Sequence, residues 1–410
     1  MARCMKHKKT SLVTTDDGKG EDIQQPQIYA KDSLDRFGDD LFGIVLSYLS
    51  LEDRFRCECV SKQFQRTVFE SVVDINLSDG FVSKVLKEKR CDTQLLATIA
   101  IKCANIQTID CREVTYRYAK HIPEVLNTLR DNCPHLRDIY CNLYLIGRRA
   151  QRMCSLAPLV TRIDYITDRQ ALTHCHRLSE LRIDTFMEIF GNDGMHSFVA
   201  HNQCLKSFMV SCPINPQVLV QLCGQLSRLP QLRELTLNLR LTVGHNPLND
   251  SLRTIGVNCK QLKRLSLNGY SNPTQTLDSL VLYTQLKRFH LRLAGIVANG
   301  LLDPLKHCKR LTHLELELPR IDINLFKNMD KNYLRLHYLW IRTNVITREC
   351  LPHVSRFAAL QKLVIHFNES DGLSGNDFSD LLTTCPKLKT IEPHFHDMSN
   401  FWRDILECVK

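Results

Sequence analysis

The sequence has no long apolar segment. Its longest mainly apolar run, residues 41–49, is interrupted by Gly43, Ser47 and Tyr48, and it is far shorter than the about 20 residues that a membrane-spanning helix needs. No secretory leader is expected, because residues 1–27 contain no apolar stretch. These absences predict an intracellular protein that resides in the cytoplasm, the nucleus or both.

Motifs that hold phosphate or metal are also missing. The chain has no G-x-x-x-x-G-K-[ST], no G-x-G-x-x-G at a helix start, no H-E-x-x-H and no C-x-x-C pair. The clusters His174-Cys175-His176 and His394-Phe395-His396 remain as metal candidates, but residues two apart converge poorly on one ion. No catalytic residue, metal or cofactor is therefore predicted, and the protein is not expected to be an enzyme.

Two features stand out among what is present. The 410 residues include 18 cysteines, and 54 Lys and Arg against 44 Asp and Glu give a net charge of +10. Thiols stay reduced inside cells, so a disulfide framework is not expected. Residues 71–410 carry a charge of +11, whereas residues 31–70 carry −2, so the positive charge belongs to the larger part of the chain.

A repeated frame, L-x-x-L-x-L with conservative apolar substitutes, runs through most of the chain at a mean spacing of about 26 residues. A spacing of 20 to 29 residues with this frame is the signature of leucine-rich repeats. Twelve frames begin at Ile106, Leu136, Val160, Leu178, Leu205, Leu232, Leu262, Leu286, Leu311, Leu336, Leu360 and Leu388. A thirteenth is possible at Val72, Ile75 and Leu77.

Each repeat combines two hydrophobic periods. The last two apolar positions of a frame alternate with polar residues, as in a strand with one buried face. Between frames the apolar spacing becomes helical, as at Leu126, Leu129 and Cys133 or at Leu252, Ile255 and Cys259. The predicted fold class is α/β: a leucine-rich-repeat solenoid over residues 71–410, with parallel strands on the concave face, helices on the convex face, about 12 repeats and a C-terminal cap.

The repeats also explain many of the cysteines. Six lie three residues before a frame, where the preceding helix ends, and Cys111 and Cys141 take the third apolar position of a strand. Free cysteine readily serves as a small buried hydrophobe. The six helix-end residues are Cys103, Cys133, Cys175, Cys259, Cys308 and Cys385.

The first 70 residues differ from the repeats. Residues 1–30 lack periodicity and mix both charges, which predicts a disordered tail. Residues 31–70 contain helically spaced apolar residues on both sides of a turn at Ser50-Leu51-Glu52-Asp53. This pattern predicts a small all-helical module.

The run Phe37–Asp53 followed by Val60-Ser61-Lys62-Gln63-Phe64 resembles an F-box. The family pattern begins with L-P, continues through an I-F-S-Y-L core and an aspartate that opens the next helix, and ends with V-C-K-x-W. In this chain Phe37-Gly38 replaces L-P and Phe64 replaces the tryptophan, whereas seven positions fall in register. They are Leu41, Ser47, Tyr48, Leu49, Asp53, Val60 and Lys62.

An F-box followed by repeats of this kind resembles the F-box/leucine-rich-repeat family. The resemblance implies the substrate-recognition subunit of an SCF-type cullin ubiquitin ligase, in which the F-box docks on a Skp adaptor and the repeats hold the target. By register, the adaptor contacts would come from Leu41, Val45, Leu46, Leu49 and Val60. The alternative is that the helical module only caps the solenoid, as repeat arrays require.

Polar residues that alternate with the buried strand positions form the predicted concave surface. Arginine beside tyrosine and tryptophan is typical of protein-interface hot spots, and paired arginines also suit carboxylate or phosphate. An acidic or phosphorylated target segment is therefore one expectation, and a merely solvated surface is the other. The candidate substrate-binding residues are Arg264, Arg288, His290, Arg292, Tyr338, Trp340 and Arg342.

The sequence thus favours a substrate adaptor without catalytic residues over a rival function. The rival is a leucine-rich-repeat interaction scaffold, or an RNA-associated protein, that does not assemble with a cullin. Nucleic-acid binding calls for aromatic residues interleaved with basic ones, and few of the basic positions have such neighbours. Neither membrane association nor nucleic acid is expected among the partners.

Overall fold

The computed structural model describes residues 38–87, 90–142, 154–166, 169–191, 194–241, 247–270, 276–294, 303–321, 326, 329–371, 373 and 375–395. The chain forms two compact units, with the boundary between Ser71 and Val72. The predicted tail at residues 1–30 lies outside the described residues, as do residues 31–37 of the predicted module.

The first unit contains three helices: α1 (Asp39–Ser47), α2 (Leu51–Cys57) and α3 (Lys62–Glu70). Serine caps the second and third. The Ser50 hydroxyl accepts a hydrogen bond from the Asp53 amide at 3.2 Å, and the Ser61 hydroxyl accepts one from the Phe64 amide at 3.2 Å. Each cap satisfies an amide of the first turn that has no partner within its helix, so the two serines fix where α2 and α3 begin.

In the second unit the described residues form one long parallel sheet whose strands pair in chain order. The short strand Arg320–Ile321 pairs with the second half of β11, and Leu86–Lys87 and Arg90–Cys91 form a separate antiparallel pair. The long-sheet strands are β1 (Asp74–Asn76), β2 (Thr108–Asp110), β3 (Asp138–Cys141), β4 (Val160–Asp164), β5 (Glu180–Ile183), β6 (Ser207–Val210), β7 (Glu234–Arg240), β8 (Arg264–Tyr270), β9 (Arg288–Ala294), β10 (His313–Glu317), β11 (Tyr338–Thr347), β12 (Lys362–Asp371) and β13 (Thr390–Phe395).

Helical segments connect most of these strands. The α-helices are α4 (Asp79–Val85), α5 (Thr93–Lys102), α6 (Ile122–Asn132), α7 (Arg169–Thr173), α8 (Phe186–Phe190), α9 (Gly194–His201), α10 (Pro216–Leu226), α11 (Pro247–Asn258), α12 (Met329–Asn332), α13 (Leu351–Val354) and α14 (Gly375–Thr384). 3₁₀ helices lie at Ala119–His121, Asp278–Leu282, Asp303–His307 and Arg348–Cys350, and residues 154–159 adopt the same conformation. No helix within the described ranges is long and apolar enough to cross a membrane.

Cross-strand register stacks the buried residues in rows. Leu265 of β8 pairs with Leu235 of β7 and with Phe289 of β9, and all three are buried. The residues between the buried ones project from the other side of the sheet, which we call the strand face. The predicted leucine-rich-repeat solenoid is thereby confirmed, and each of the twelve predicted frames places its second apolar residue in one of the strands β2 to β13.

Repeat length determines the element that returns the chain to the next strand. The 30-residue step from Leu232 to Leu262 contains the 12-residue helix α11. The next two steps are 24 and 25 residues long and contain 3₁₀ helices instead. The shortest step, 18 residues from Val160, contains only the five-residue α7, because a short connection has no room for a longer helix.

The helix-end position before each frame is buried whatever residue occupies it. Cysteine takes six of the twelve positions, as the sequence predicted, and larger apolar or aromatic residues take most of the others. Asn202 is the polar exception: its side-chain amide donates to the Cys175 carbonyl at 2.9 Å, and its oxygen accepts from the Leu178 amide at 3.0 Å. The twelve are Cys103, Cys133, Ala157, Cys175, Asn202, Leu229, Cys259, Tyr283, Cys308, Tyr333, Phe357 and Cys385.

Candidate functional site

One side of helix α1 presents apolar side chains to solvent. Leu41, Ile44, Val45 and Tyr48 follow the spacing i, i+3, i+4 and i+7, which places them on one helix face, and 59%, 58%, 62% and 86% of their surfaces are exposed. We call these four residues the α1 stripe. Val60, which follows α2, is 61% exposed as well. Contiguous exposed apolar surface of this kind marks a protein-interaction site.

The opposite side of α1 forms the core of the first unit. Phe42 and Leu46 are each 1% exposed, and the Phe42 ring meets the Phe64 ring edge to face with centroids 4.5 Å apart. Aromatic pairs in this geometry contribute about 0.5–1.5 kcal/mol beyond their burial. Helix α1 is therefore anchored in the core through one face, while the α1 stripe lies on its exposed face.

Arg54 ties the three helices together from inside. The side chain is buried, and its guanidinium donates to the Leu49 carbonyl at 3.2 Å, the Val68 carbonyl at 3.1 Å and the Ser71 hydroxyl at 2.7 Å. These acceptors follow α1, lie within α3 and follow α3. A buried charge is tolerated when hydrogen bonds replace its lost hydration, and here they also fix the backbone that presents the α1 stripe.

Across the strand face, cations of one strand meet acids of a neighbour. Arg264 pairs with Glu234, His290 with Glu315 at 2.7 Å, and Arg292 with Glu317 at 3.0 Å. The hydrogen bond from His290 is the main reason that the pKa of Glu315 lies below its ordinary value. Several of the basic residues predicted on the concave surface are therefore already paired with acids within the sheet.

Aromatic rings run beside these ion pairs. The Trp340 ring lies 6.5 Å from the His290 ring and 5.3 Å from the His366 ring, measured between centroids. His366 in turn stacks on His394 at 4.2 Å with an interplanar angle of 6°. The rings form a continuous ladder over strands β9 to β13, which offers stacking surface to a partner.

A cavity of about 620 Å³ lies where the strands β7 to β13 approach their carboxyl ends. Its lining combines amides, two arginines, one glutamate and two imidazoles. The polar and charged residues are Asn238, Asn268, Arg292, Glu317, Arg342, Thr343, Asn344, His366, Asn368 and His394.

A second cluster lies on the amino-terminal strands. The guanidinium of Arg162 lies 4.3 Å from the centroid of the Tyr140 ring, and that of Arg182 lies 4.2 Å from the Tyr165 ring. Arg112 bonds Asp110 through two nitrogens, at 2.9 and 2.7 Å. Burial opposes ionisation of Asp110, but the bonds and charge of Arg112 outweigh it and lower the carboxyl pKa.

The family model for the F-box domain matches residues 34–73, which contain the whole three-helix unit. The chain therefore carries an F-box domain ahead of its leucine-rich-repeat solenoid. A curated relative, F-box protein FBX14 of Arabidopsis thaliana, is 26% identical over 306 residues, which cover 71% of this chain and 44% of the relative. The chain therefore spans less than half the length of that relative.

Solved structures with low identity also resemble the chain. An internalin, inlF, from Listeria monocytogenes is 13% identical, with 90% of this chain and 92% of that chain covered and a TM-score of 0.41. A chain of the Rad7 and Elc1 complex in yeast is 15% identical, with 86% and 90% covered and a TM-score of 0.49. The solenoid assignment rests on the parallel register of this chain's own strands.

One of the residues predicted to contact the adaptor lies in the core of the first unit instead. Leu41, Val45 and Val60 are exposed, and Leu49 is half-buried, but Leu46 packs in the core. Leu46 was wrongly predicted to touch an adaptor, because helical spacing alone does not tell the outer face of a helix from the inner one. The sequence interpretation did not place Ile44 and Tyr48 on the exposed face of α1, although their spacing from Leu41 would have placed them there.

All seven predicted substrate-binding residues of this chain lie on the strand face, in three groups. Arg264 and Arg288 pair in register near Glu234, at the start of their strands. His290 lies beside Trp340, and Tyr338 beside His313 at 5.5 Å. Arg292 and Arg342 share Glu317. The prediction missed the acids as partners, because pairing becomes visible only once neighbouring strands are aligned.

Proposed function

We propose that this F-box protein is the non-catalytic substrate-recognition subunit of an SCF-type cullin ubiquitin ligase in the cytoplasm or nucleus. The α1 stripe docks on a Skp-type adaptor, which links the chain to the cullin, and the strand face binds a protein target for ubiquitination. The observation that carries the proposal is the exposed apolar stripe on a helix of a matched F-box domain.

The physical basis of adaptor docking is burial of the stripe. Apolar surface removed from water contributes about 25 cal/mol per Å², and a few well-packed side chains dominate the affinity of most interfaces. Leu49 and Val60 extend the apolar surface next to the four stripe residues. The buried Arg54 keeps α1 in place, so little ordering is needed on binding.

Co-purification of the full chain with Skp adaptor and cullin tests this function. We expect the intact chain to retain both proteins. Val45→Asp places a charge in the buried interface and should weaken adaptor binding by about 10-fold or more. Val257→Asp is the matched control, since Val257 is also an exposed valine on a helix, 51% exposed in α11, and it should leave binding unchanged.

Either of two outcomes would contradict the proposal. One is that the intact chain fails to retain the adaptor. The other is that Val45→Asp and Val257→Asp bind the adaptor equally well. The rival RNA-associated scaffold predicts RNA binding that weakens steeply with salt. The ion pairs of the strand face argue against RNA binding, because an arginine already paired with a glutamate attracts a phosphate less strongly than an unpaired one.

A further inference from the structure

The cavity on the strand face has an excess of groups able to carry positive charge. Glu317 lies 3.0 Å from Arg292 and 4.0 Å from Arg342, so one carboxylate serves two guanidiniums and Arg342 is the less closely paired. His366 and His394 line the same cavity on the next two strands. A second anion would therefore find a cation and two protonatable rings on adjacent strands.

The charged groups around His366 explain how such an anion would be received. Burial lowers the pKa of His366, and His394 and Arg342 lower it further, whereas Glu392 and Glu317 act in the opposite direction. An anion placed against Arg342 would offset both the desolvation and the repulsion between these cations. Its binding would then be coupled to protonation of His366.

Asparagine side chains give the cavity a second property. The side-chain amide of Asn368 donates to the side-chain oxygen of Asn344 at 3.1 Å. Both residues line the cavity, and this bond uses neither the amide group of Asn344 nor the oxygen of Asn368, which remain as a donor and an acceptor. A donor beside an acceptor complements the N–H and C=O groups of an extended peptide backbone.

We propose that this cavity binds an extended peptide segment through an acidic side chain, carboxylate or phosphate, held by Arg342, His366 and His394, while Asn344 and Asn368 bond the peptide backbone. That the peptide belongs to a ubiquitination target rests on the function proposed above. The volume of about 620 Å³ lies in the range of ligand sites, and it accommodates a few residues of a peptide but not a folded domain.

Resin-bound heptapeptide mixtures test this site with the full-length chain. The mixtures share random flanking residues and differ only in a central glutamate, phosphoserine or serine. We expect about fivefold more protein retained on the glutamate and phosphoserine resins than on the serine resin. Arg342→Ala should remove this preference. Arg253→Ala is the control, because Arg253 is an exposed arginine of helix α11, away from the strand face and outside the cavity lining, and it should keep the preference.

The dependence on pH separates the cavity from simple charge attraction. On the glutamate resin, retention should rise as the pH falls from about 7 to about 5.5, since a bound carboxylate favours the protonated form of His366 while glutamate stays ionised. His366→Gln with His394→Gln should abolish this rise without removing Arg342. Glutamine keeps a polar side chain, so the variant is expected to fold.

Several results would overturn the site. They are equal retention on the three resins, a preference that survives Arg342→Ala, an equal loss with Arg253→Ala, and displacement of the protein by an RNA oligonucleotide but not by soluble glutamate peptide. Adaptor binding is measured on the same preparations. Loss of adaptor binding with an intact peptide preference removes the ligase function and leaves the cavity, and the reverse result removes the cavity alone.

Discussion

Gly269 has no room for a side chain, whereas Gly224 has ample room for one. Gly269 of β8 has φ +114°, and an added Cβ would collide with the Leu239 carbonyl oxygen on the neighbouring strand. Gly224 lies in α10, and nothing would lie within 4 Å of its Cβ. We expect Gly269→Ala to destabilise the solenoid by about 2 kcal/mol or more. We expect Gly224→Ala to stabilise it by about 0.5–1 kcal/mol.

Urea unfolding of the two glycine variants measures this difference. The midpoint should fall for the first variant and stay or rise for the second. Equal midpoints would show that β8 can shift at Gly269 without cost, contrary to the close approach of β7. Because Gly269 also lines the cavity, the first variant should lose the peptide preference as well.

Residue-scale prediction succeeded where a position has one physical requirement. The helix-end position needs a residue that fits a buried space, so the burial of the six cysteines there could be predicted from the repeat frame alone. Asn202 could not be foreseen at the same position, since its burial depends on acceptors and donors that another repeat supplies. Arg54 is a similar case, because its partners are backbone carbonyls that only the packing of three helices brings together.

At the scale of elements, the start of α2 depends on one hydroxyl. Ser50 accepts from the Asp53 amide and also donates to the Asp53 carboxylate at 2.7 Å. Replacing such a cap by alanine costs about 1 kcal/mol. Ser47 offers a matched control, because its hydroxyl bonds the Ile44 carbonyl inside α1, a bond that does not stabilise helices.

Hydrogen exchange of the full chain measures this local effect. Ser50→Ala should speed exchange of the α2 amides by about fivefold, with α6 of the solenoid as an internal reference. Ser47→Ala should leave α2 exchange unchanged. An unchanged rate for Ser50→Ala would mean that Asp53 and its neighbours hold the helix start without the serine.

Element types followed well from the sequence because period and length report them directly. The alternation at Leu265 and Leu267 can only bury one face of a strand, and the 18-residue step at Val160 cannot contain a long helix. Which face of α1 points outward did not follow, since it depends on where α3 packs. Apolar residues lie on most sides of α1. Helical spacing alone therefore does not show which face packs in the core and which is exposed.

At the scale of the whole molecule, the sequence located the excess of positive charge but not its pairing. Residues 71–410 carry a charge of +11, yet register places Glu234, Glu315 and Glu317 against Arg264, His290 and Arg292 on the strand face. Net charge is additive over the sequence, whereas pairing depends on which repeats are neighbours. Towards the carboxyl ends of the strands, Arg292 and Arg342 share Glu317 beside two imidazoles, which is why the cavity carries the binding proposal.

The buried thiols make stability of the whole solenoid sensitive to alkali. Burial raises the pKa of nine described cysteines above the ordinary value of 9.0: Cys91, Cys111, Cys133, Cys141, Cys175, Cys223, Cys259, Cys308 and Cys385. Above pH 9 the unfolded chain releases thiol protons that the folded chain keeps. Stability then falls with pH, by at most about 1.4 kcal/mol per thiol and pH unit.

Acid acts through different groups but with the same outcome. The pKa values of His313 and His366 are lowered, mainly by burial, so the unfolded chain gains protons first as the pH falls below about 6.5. Hydrogen bonds from His290 and Arg112 lower the pKa values of Glu315 and Asp110, so further stability is lost below about pH 4.5. We therefore expect a plateau between about pH 7 and 8.5.

Urea midpoints of the reduced protein between pH 5 and 10 test this profile. Because nine thiols act together, the decline should be steeper above pH 9 than between pH 6.5 and 5. Cys223→Ala with Cys308→Ala should make the alkaline decline shallower, whereas Cys59→Ala, at an exposed position, should not change it. A midpoint that stays constant from pH 8.5 to 10 would mean that these thiols ionise in the folded chain, and hence that the helix-end positions open to water far more readily than their burial implies.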